Sequence, residues 1–384
     1  MTSIVIVGGG ITGVTLAYRL ADLGHEVTLL ERHGIGAGTT GKSIGCFVSY
    51  LAGSKGYRPL VEGTWERYEP LINAGELDYH RNGFIKLATS GWYAERLREE
   101  AKSVERRGIP VERLDPGELE RFKVAPDAAP QGALYYPGIG RLDPGKLVAH
   151  FADTARSSGA DLILKTEVTH IETESGSVTG VQTSMGHLDA DVVINAAGPW
   201  ALRLNEMVGV EIPLRHTLAP ILTLEMDRAI DLPTVMCEDG LYLTGERSRT
   251  VLAGHTPHES ADESVWEVAT FEDPDQINRV GRGAAGEAHR LRVAEQAERI
   301  VPPLAGATVA NEWCGLRCMT PDEMPVAGHT SVDGYLVATG MSGVGITVAP
   351  MVSEAVITAI ETGSLPSRLE HLSQDRFAGQ GRPE

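Results

Sequence analysis

A cluster of glycines directly follows the first apolar run of the chain and constrains the fold more than any other feature. Residues 3–7 read SIVIV, and Gly8, Gly10 and Gly13 then give the spacing G-x-G-x-x-G. The next residues carry apolar side chains at helical intervals, and a second apolar run, HEVTLLE, ends on Glu31. Strand, glycine turn, helix, strand and terminal acid together predict a βαβ unit of a parallel sheet.

Each residue of this unit has a separate role in binding a dinucleotide. Gly8 allows the tight turn, Gly10 lets the backbone approach a pyrophosphate, and Gly13 lets the helix pack closely on the sheet. The helix N-terminus offers unpaired N–H groups and a partial positive charge to the phosphates. Glu31 can accept hydrogen bonds from a ribose diol. A glycine-rich turn in some other α/β protein would not explain this acid.

The segment after Glu31, RHGIGAGTTGKSIGCF, distinguishes between the dinucleotides. A nicotinamide-binding domain would continue here with another helix and strand. Residues 32–47 instead read as a loop rich in Gly, Thr and Ser, which can offer backbone N–H groups and hydroxyls to a second phosphate or to a flavin ring edge. The alternative is a flexible surface loop.

The composition limits the class of protein and its partners. A length of 384 residues favours one large domain with a smaller second lobe, and a net charge of −18 disfavours nucleic acid and anionic membranes as partners. No apolar run approaches the ~18 residues of a transmembrane helix, and no secretory signal is visible before the first strand. The four cysteines fit neither a disulfide scaffold nor a zinc site, so we predict a cytoplasmic protein without a metal.

Three motifs further along the chain make the pattern more specific. They are DADVVINAAGPWA at residues 189–201, GLRCMTPDEMPVAG at 315–328 and GMSGVGITVAP at 340–350. Together with the opening glycine motif and the GAGTTGKSIG loop, they resemble the D-amino-acid oxidase family of FAD-dependent oxidoreductases, which includes glycine oxidase, sarcosine oxidase and D-amino-acid dehydrogenases. The resemblance extends from end to end of the chain, but it is loose between about residues 213 and 310.

The resemblance implies a mixed α/β fold, with a Rossmann-like FAD-binding domain and a discontinuous substrate domain built on an antiparallel sheet. The FAD-binding domain is expected to comprise residues 1–80, 137–212 and 311–384, and the substrate domain residues 81–136 and 213–310. Long strands are predicted within residues 214–226 and 240–254. An acidic, aperiodic loop is predicted at residues 255–276.

The resemblance also implies which residues contact FAD. A valine like Val168 gives its backbone to the adenine in the family, and Trp200 is expected to pack at the cofactor. The expected FAD-binding residues are Gly8, Gly10, Ile11, Thr12, Gly13, Glu31, Arg32, Thr39, Thr40, Lys42, Ser43, Val168, Ala197, Gly198, Trp200, Gly315, Gly340, Ser342, Gly343, Val344, Gly345, Ile346 and Thr347.

A flavin enzyme of this kind needs a cation for the substrate carboxylate and positive potential near flavin N1. Arg317 matches a family arginine that pairs with the amino-acid carboxylate, and a guanidinium binds a carboxylate bidentately. The helix that starts near Ile346 is expected to direct its N-terminal dipole at the flavin. Tyr242 and His255 are the other catalytic candidates. His255 could accept the amine proton or support the residues that bind the substrate. The structural alternatives are a loop-bridging arginine, a core tyrosine and a structural histidine.

Two departures from relatives bear on the chemistry. Sarcosine oxidase has a lysine above the flavin that promotes reaction with oxygen, and Leu252 occupies the matching place here, which favours a dehydrogenase over an oxidase. The same relative links its flavin covalently through a cysteine. Cys314 and Cys318 do not match that position, so we expect FAD to be bound non-covalently.

The sequence therefore predicts oxidation of the C–N bond of a small amino acid or N-methyl amino acid to an imine, by hydride transfer to flavin N5. The substrate partner is a small carboxylate-bearing amine, and the electrons pass to oxygen or to another redox partner. Two alternatives stay open. One is a 2-hydroxy-acid dehydrogenase on the same scaffold, for which His255 or His216 would be the base. The other is a non-catalytic FAD-binding subunit of a complex.

Overall fold

The structure is a computed structural model that describes residues 2–246, 248–255 and 286–378. Its first layer is a six-stranded sheet that contains the predicted βαβ unit. All neighbouring strands are parallel except the antiparallel pair at one edge, β19 (Val326–His329) and β20 (Tyr335–Thr339). Burial on both faces explains the unbroken runs of Ile and Val in the central strands. In spatial order the strands are β19 (Val326–His329), β20 (Tyr335–Thr339), β13 (Val192–Asn195), β1 (Ser3–Val7), β2 (Glu26–Glu31) and β9 (Asp161–Leu164).

A second, eight-stranded sheet carries the other layer of the molecule. Its neighbouring strands are antiparallel except β15 (Thr234–Met236) and β5 (Phe84–Leu87), which are parallel to each other. In spatial order the strands are β18 (Thr308–Met319), β14 (Arg215–Glu225), β17 (Thr250–His255), β16 (Leu241–Gly245), β15 (Thr234–Met236), β5 (Phe84–Leu87), β7 (Ala133–Tyr136) and β6 (Glu112–Leu114).

Two small sheets complete the strands. An antiparallel meander formed by β10 (Val168–Glu174), β11 (Ser177–Thr183) and β12 (Gly186–Asp189) packs on one face of the six-stranded sheet. The second small sheet joins the loop after β2 to distant segments. Its strands are β3 (Cys46–Phe47), β8 (Gly140–Leu142) and β4 (Tyr79–His80).

The helices cover the sheets and bury their apolar faces. In chain order they are α1 (Ile11–Asp22), α2 (Arg58–Asn73), α3 (Gly91–Glu105), α4 (Pro144–Ser157), α5 (Ala201–Met207), α6 (Gly286–Ile300) and α7 (Gly345–Thr362). Helices α1, α4 and α7 pack together against the face of the six-stranded sheet opposite the meander, in the largest apolar cluster of the described residues. Helix α7 is buried along most of its length, because its sequence is apolar on every side.

The predicted mixed α/β class is confirmed, and so are the two long-strand regions. Residues 214–226 contain β14, and residues 240–254 contain β16 and most of β17. The predicted domain boundary at residue 311 falls inside β18, which is hydrogen-bonded along its length to β14. The loop predicted at residues 255–276 lies, apart from His255, outside the described residues. Among the helices that the structure describes, none is both long and apolar enough to cross a membrane.

Candidate functional site

The turn between β1 and α1 is closed so tightly that only glycine fits at two of its positions. Gly8 has φ +115°, in the region that favours glycine, and an added Cβ would lie 2.5 Å from the carbonyl oxygen of Ala196. An added Cβ on Gly13 would lie 1.9 Å from the carbonyl oxygen of Gly8. The backbone of the turn is thereby exposed to a ligand, and α1 begins directly after it at Ile11.

Glu31 and Thr40 connect this turn to the loop that follows β2. The carboxylate of Glu31 accepts hydrogen bonds from the N–H groups of Gly9 (2.8 Å) and His33 (2.7 Å). The hydroxyl of Thr40 accepts one from the N–H of Ile11 (3.1 Å). A carboxylate has about four acceptor positions, so Glu31 keeps capacity for a further donor. The loop is therefore fixed beside the glycine turn by side-chain hydrogen bonds.

A single cleft with an empty volume of about 1420 Å³, including its open mouth, extends from the glycine turn to β18 and the N-terminal end of α7. Most of the predicted FAD-binding residues, and one predicted catalytic residue, line it together. They are Gly8, Gly10, Ile11, Thr12, Glu31, Arg32, Thr39, Thr40, Ser43, Val168, Ala197, Gly198, Trp200, Arg317, Gly340, Ser342, Gly343, Gly345 and Ile346.

Four other predicted FAD-binding residues lie close behind this lining. Gly13 packs under the turn, and the buried hydroxyl of Thr347 accepts a hydrogen bond from the N–H of Val48 (3.1 Å). Val344 packs against the apolar clusters beside α7. Gly315 lies in β18, where an added Cβ would be 3.5 Å from Cβ of Lys42. These residues support the cleft but are not part of its wall.

Lys42, the remaining predicted FAD-binding residue, does not line the cleft either. Its carbonyl oxygen accepts a hydrogen bond from the indole N–H of Trp313 (3.0 Å). Its ammonium group is half-buried, and this burial lowers the pKa of the lysine. Its Cβ lies beside Gly315 of β18, and the predicted contact of Lys42 with FAD stays a prediction.

One end of the cleft carries aromatic and basic side chains that the sequence only partly predicted. The guanidinium carbon of Arg32 lies 4.6 Å from the ring centroid of Trp200, at a distance typical of a cation–π interaction. Arg203 and Met207 of α5 line the same cleft. The sequence did not single out Arg203 and Met207, because α5 has only seven residues and directly follows the NAAGPW motif.

Arg317 lies against the glycine-rich turn at the other end of the cleft. Gly343 has φ +83°, and an added Cβ would lie 2.9 Å from Cδ and 3.0 Å from Nε of Arg317. Tyr242 is buried, which raises the pKa of its hydroxyl, and the positive charge of Arg317, followed by a hydrogen bond with that residue, opposes the rise. Two predicted catalytic residues, which lie 75 positions apart in the chain, are thus in direct contact.

The third predicted catalytic residue, His255, is on the opposite face of the sheet. Tyr242 pairs with Gly254 and Leu241 pairs with His255, so the side chains of Tyr242 and His255 point to different faces. His255 is buried near Asp239 and His289, and burial lowers its pKa to about 4. The structure therefore does not bring His255 to the contact between Arg317 and Tyr242. His216 is the neighbour of Thr217 on β14, and Thr217 pairs with Arg317. The side chain of His216 therefore points to the face opposite that of Arg317.

The wall around Tyr242 is apolar. Ile221, Tyr242 and Leu252 form a buried cluster, against which Ile44, Met236 and Trp313 pack while staying partly exposed. Leu252, which was predicted to take the place of the lysine of sarcosine oxidase, therefore packs in the same cluster as Tyr242. Ile44 comes from the loop after β2, and its carbonyl oxygen accepts a hydrogen bond from Nε of Arg141 (2.7 Å). Sequence reasoning missed Arg141 and Met236, because nothing local indicates which loop or strand they meet.

The sequence matches the family described as FAD dependent oxidoreductase (DAO) over residues 3–359, and the chain belongs to this family. It is 28% identical to the glycine oxidase of Geobacillus kaustophilus over 392 residues, which cover 98% of this chain and 97% of that protein. It is also 29% identical to human mitochondrial dimethylglycine dehydrogenase over 97% of this chain, but it spans only 44% of that longer protein.

Solved structures support the fold independently. The crystal structure of glycine oxidase from Geobacillus kaustophilus superposes with a TM-score of 0.83 and 25% identity, covering 98% of both chains. The crystal structure of L-proline dehydrogenase from P. horikoshii superposes with a TM-score of 0.86 over 100% of this chain and 99% of that chain, at 24% identity. The second likeness shows the fold alone.

The residues present fit FAD, the cofactor of the family. The glycine turn leaves no space for side chains where a diphosphate would approach the backbone, and the cleft continues from there to a cation. FAD supplies hydride acceptance in such a protein. Within the described residues, no group of three or more His, Cys, Asp or Glu side chains is arranged to hold a metal ion.

Proposed function

We propose that this chain oxidises the C–N bond of a small amino acid or N-methyl amino acid, with FAD lying in the cleft between Gly8 and Arg317. The observation that carries the proposal is the contact of Arg317 with Tyr242 and with Gly343. Arg317 and Gly343 line the end of the cleft opposite Arg32 and Trp200. A guanidinium held beside a tyrosine hydroxyl is a pair of donors suited to a carboxylate.

The direction of FAD follows from the ends of the cleft. The N–H groups at the start of α1 would bind the diphosphate, and Glu31 would accept hydrogen bonds from the ribose. Arg32, Trp200 and Val168 would surround the adenine. The flavin would then lie beside the turn from Gly340 to Gly345, where the N-terminal dipole of α7 favours negative charge.

The chain's own residues would bind and orient the substrate. Arg317 would hold the carboxylate with two parallel hydrogen bonds, and Tyr242 would donate a third. The apolar wall of Ile44, Ile221 and Leu252 would exclude water and favour the neutral amine, whose lone pair assists loss of hydride from the neighbouring carbon. Water would hydrolyse the released imine.

Relatives named for their activities support this class of substrate. Besides glycine oxidase and dimethylglycine dehydrogenase, the chain is 26% identical to the 4-methylaminobutanoate oxidase of Paenarthrobacter nicotinovorans, over 98% of this chain. Each of the three names refers to a compound that carries both a carboxylate and an amine. Because the chain spans less than half of two of these three proteins, the particular substrate is part of the proposal.

The proposal extends to the bond between protein and cofactor. Cys314 and Cys318 alternate with Arg317 along β18, so their thiols are on the other face of the strand, where burial raises the pKa of both. Cys314 does not line the cleft, and Cys318, which does, has its thiol paired with the hydroxyl of Thr339 (3.8 Å). We therefore propose non-covalent FAD.

The division into domains and the location of the protein are further proposals. Residues 1–80 and 137–212 hold the strands that surround the glycine turn, which supports their assignment to FAD binding. All four cysteines are free thiols, which supports a reducing compartment such as the cytoplasm.

The two alternatives receive less support. A 2-hydroxy-acid dehydrogenase needs a strong base for the hydroxyl proton, and both histidines considered for this role, His255 and His216, lie on the face away from Tyr242. A non-catalytic subunit would have no use for a carboxylate-binding pair at the end of the cleft.

The test is an anaerobic screen of the purified protein, read at the flavin absorbance. Sarcosine, dimethylglycine, glycine, L-proline or a D-amino acid should bleach the flavin, with Arg317→Ala as the matched variant that keeps FAD but needs far more substrate. Bleaching by 2-hydroxy acids alone would replace the proposal with the first alternative. Failure of every amine and hydroxy acid would favour the second, and a protein that binds no FAD would contradict the site itself.

A further inference from the structure

Tyr242 and Gly254 form a cross-strand pair in which the tyrosine ring occupies the space of the missing side chain. The two residues are opposite each other on β16 and β17. An added Cβ on Gly254 would lie 2.2 Å from the hydroxyl oxygen of Tyr242, 2.3 Å from Cζ and 2.8 Å from Cε2. These distances are far below van der Waals contact, so any side chain at residue 254 would displace the ring.

The position of Gly254 in the sheet determines where the ring can point. The strand β17 lies between β16 and β14, and β14 lies between β17 and β18. Because Gly254 has no side chain, the ring of Tyr242 can extend across β17 toward β14 and β18. Arg317 is on β18, and the tyrosine hydroxyl reaches it by a hydrogen bond.

Arg317 is confined from its other side by Gly343. An added Cβ there would lie 2.9 Å from Cδ of the arginine, and the φ of +83° already favours glycine at this position. The contact between Tyr242 and Arg317 is therefore bounded by two residues without side chains, one in β17 and one in the turn before α7. Displacing the ring would separate the two donors.

We propose that Gly254 is a positioning residue, whose missing side chain holds the hydroxyl of Tyr242 beside Arg317 and thereby sets the affinity of the site for the substrate carboxylate. This inference rests on the proposed function, because it assumes that the pair binds a carboxylate. It adds a requirement on a residue that is not part of the wall of the cleft. Its effect acts through Tyr242 alone.

The experiment compares Gly254→Ala with the wild-type holoenzyme. The Kd of acetate is read from the shift of the flavin spectrum and from the rise in Tm that acetate causes, and KM and kcat are measured with the substrate found by the screen. Loss of one hydrogen bond to a charged group is worth roughly 1.5 kcal/mol, so we expect acetate Kd and KM to rise about tenfold, with a smaller change in kcat. Gly91→Ala is the control, because nothing lies within 4 Å of its added Cβ.

A second pair of variants separates positioning from general damage. If Gly254 acts through the tyrosine, Tyr242→Ala and Tyr242→Ala/Gly254→Ala should bind acetate equally. If Gly254→Ala alone loses FAD, the double variant should regain it, since the collision has been removed. Unchanged acetate Kd in a folded Gly254→Ala protein, or a further loss in the double variant, would overturn the inference. If the wild type neither binds acetate nor is bleached by an amine, the proposed function fails instead.

Discussion

Gly13 touches Gly8 so closely that a methyl group between them would lie 1.9 Å from the carbonyl oxygen of Gly8. The first turn of α1 therefore depends on glycine at both ends of the motif. The same turn exposes the backbone N–H groups that a diphosphate would bind. FAD binding and the packing of α1 on β1 are thus determined by the same pair of residues.

Gly13→Ala should yield a protein that retains little or no FAD, because α1 must move away from Gly8 to make room for the added carbon. The ratio of flavin to protein absorbance, measured after incubation with excess FAD, checks this expectation. Gly34→Ala is the matched control, since its added Cβ has no atom within 4 Å. A Gly13→Ala protein with full flavin content would show that the turn has space that these distances exclude.

The βαβ unit could be predicted from the sequence because all its signals are local. The glycine spacing, the helical period after Gly13 and the acid at residue 31 lie within one stretch of about thirty residues. The neighbours of β1 and β2 could not be derived in this way. Strand β13 pairs with β1 although 188 residues separate Ile4 from Val192, and no local pattern encodes that pairing. Only resemblance to a family indicated it.

Arg317→Ala should raise KM by about a hundredfold or more while leaving the flavin content unchanged, because the guanidinium would bind the substrate carboxylate and lies at the end of the cleft. Arg317→Lys should recover only part of this loss, since an ammonium group cannot form the bidentate contact. Steady-state kinetics with the screened amine measure both variants. Arg113→Ala, which removes an exposed pair with Glu105, is the control. Equal KM values for all of these proteins would remove Arg317 from the site.

The candidate site shows where sequence reasoning stops. Tyr242 and His255 looked alike, as single polar residues at the ends of apolar strands. The register of β16 with β17 puts them on opposite faces, and only the three-dimensional pairing reveals this. Nothing in the sequence marked Gly254 as a site residue, because glycines are common near the ends of strands. Its meaning depends on the ring that covers it.

Lys86→Met should destabilise the protein by about 3 kcal/mol, because a buried ion pair would lose one partner. Both carboxylate oxygens of Glu100 lie 2.8 Å from Nζ of Lys86, and this nitrogen lies 3.5 Å from the ring centroid of Tyr50. The midpoint of urea unfolding measures the loss. Lys102→Met, which breaks an exposed pair with Glu99, should change stability by less than about 0.5 kcal/mol. If Lys86→Met is as stable as the control, the buried ion pair makes no net contribution to the free energy of unfolding.

The buried histidines His255 and His289 should make the protein less stable in mild acid. Burial lowers the pKa of both to about 4, whereas an unfolded histidine has a pKa near 6.5. The unfolded chain therefore binds more protons as the pH falls through 6.5, and the folded state loses stability until the pH reaches about 4. Each histidine should contribute about 1 kcal/mol of loss between pH 7.5 and 5.5, measured by urea unfolding. His255→Gln/His289→Gln should show a shallower dependence on pH, and Ser54→Ala, a change at an exposed residue that does not titrate, should keep the wild-type slope. Identical slopes in all three proteins would contradict the prediction.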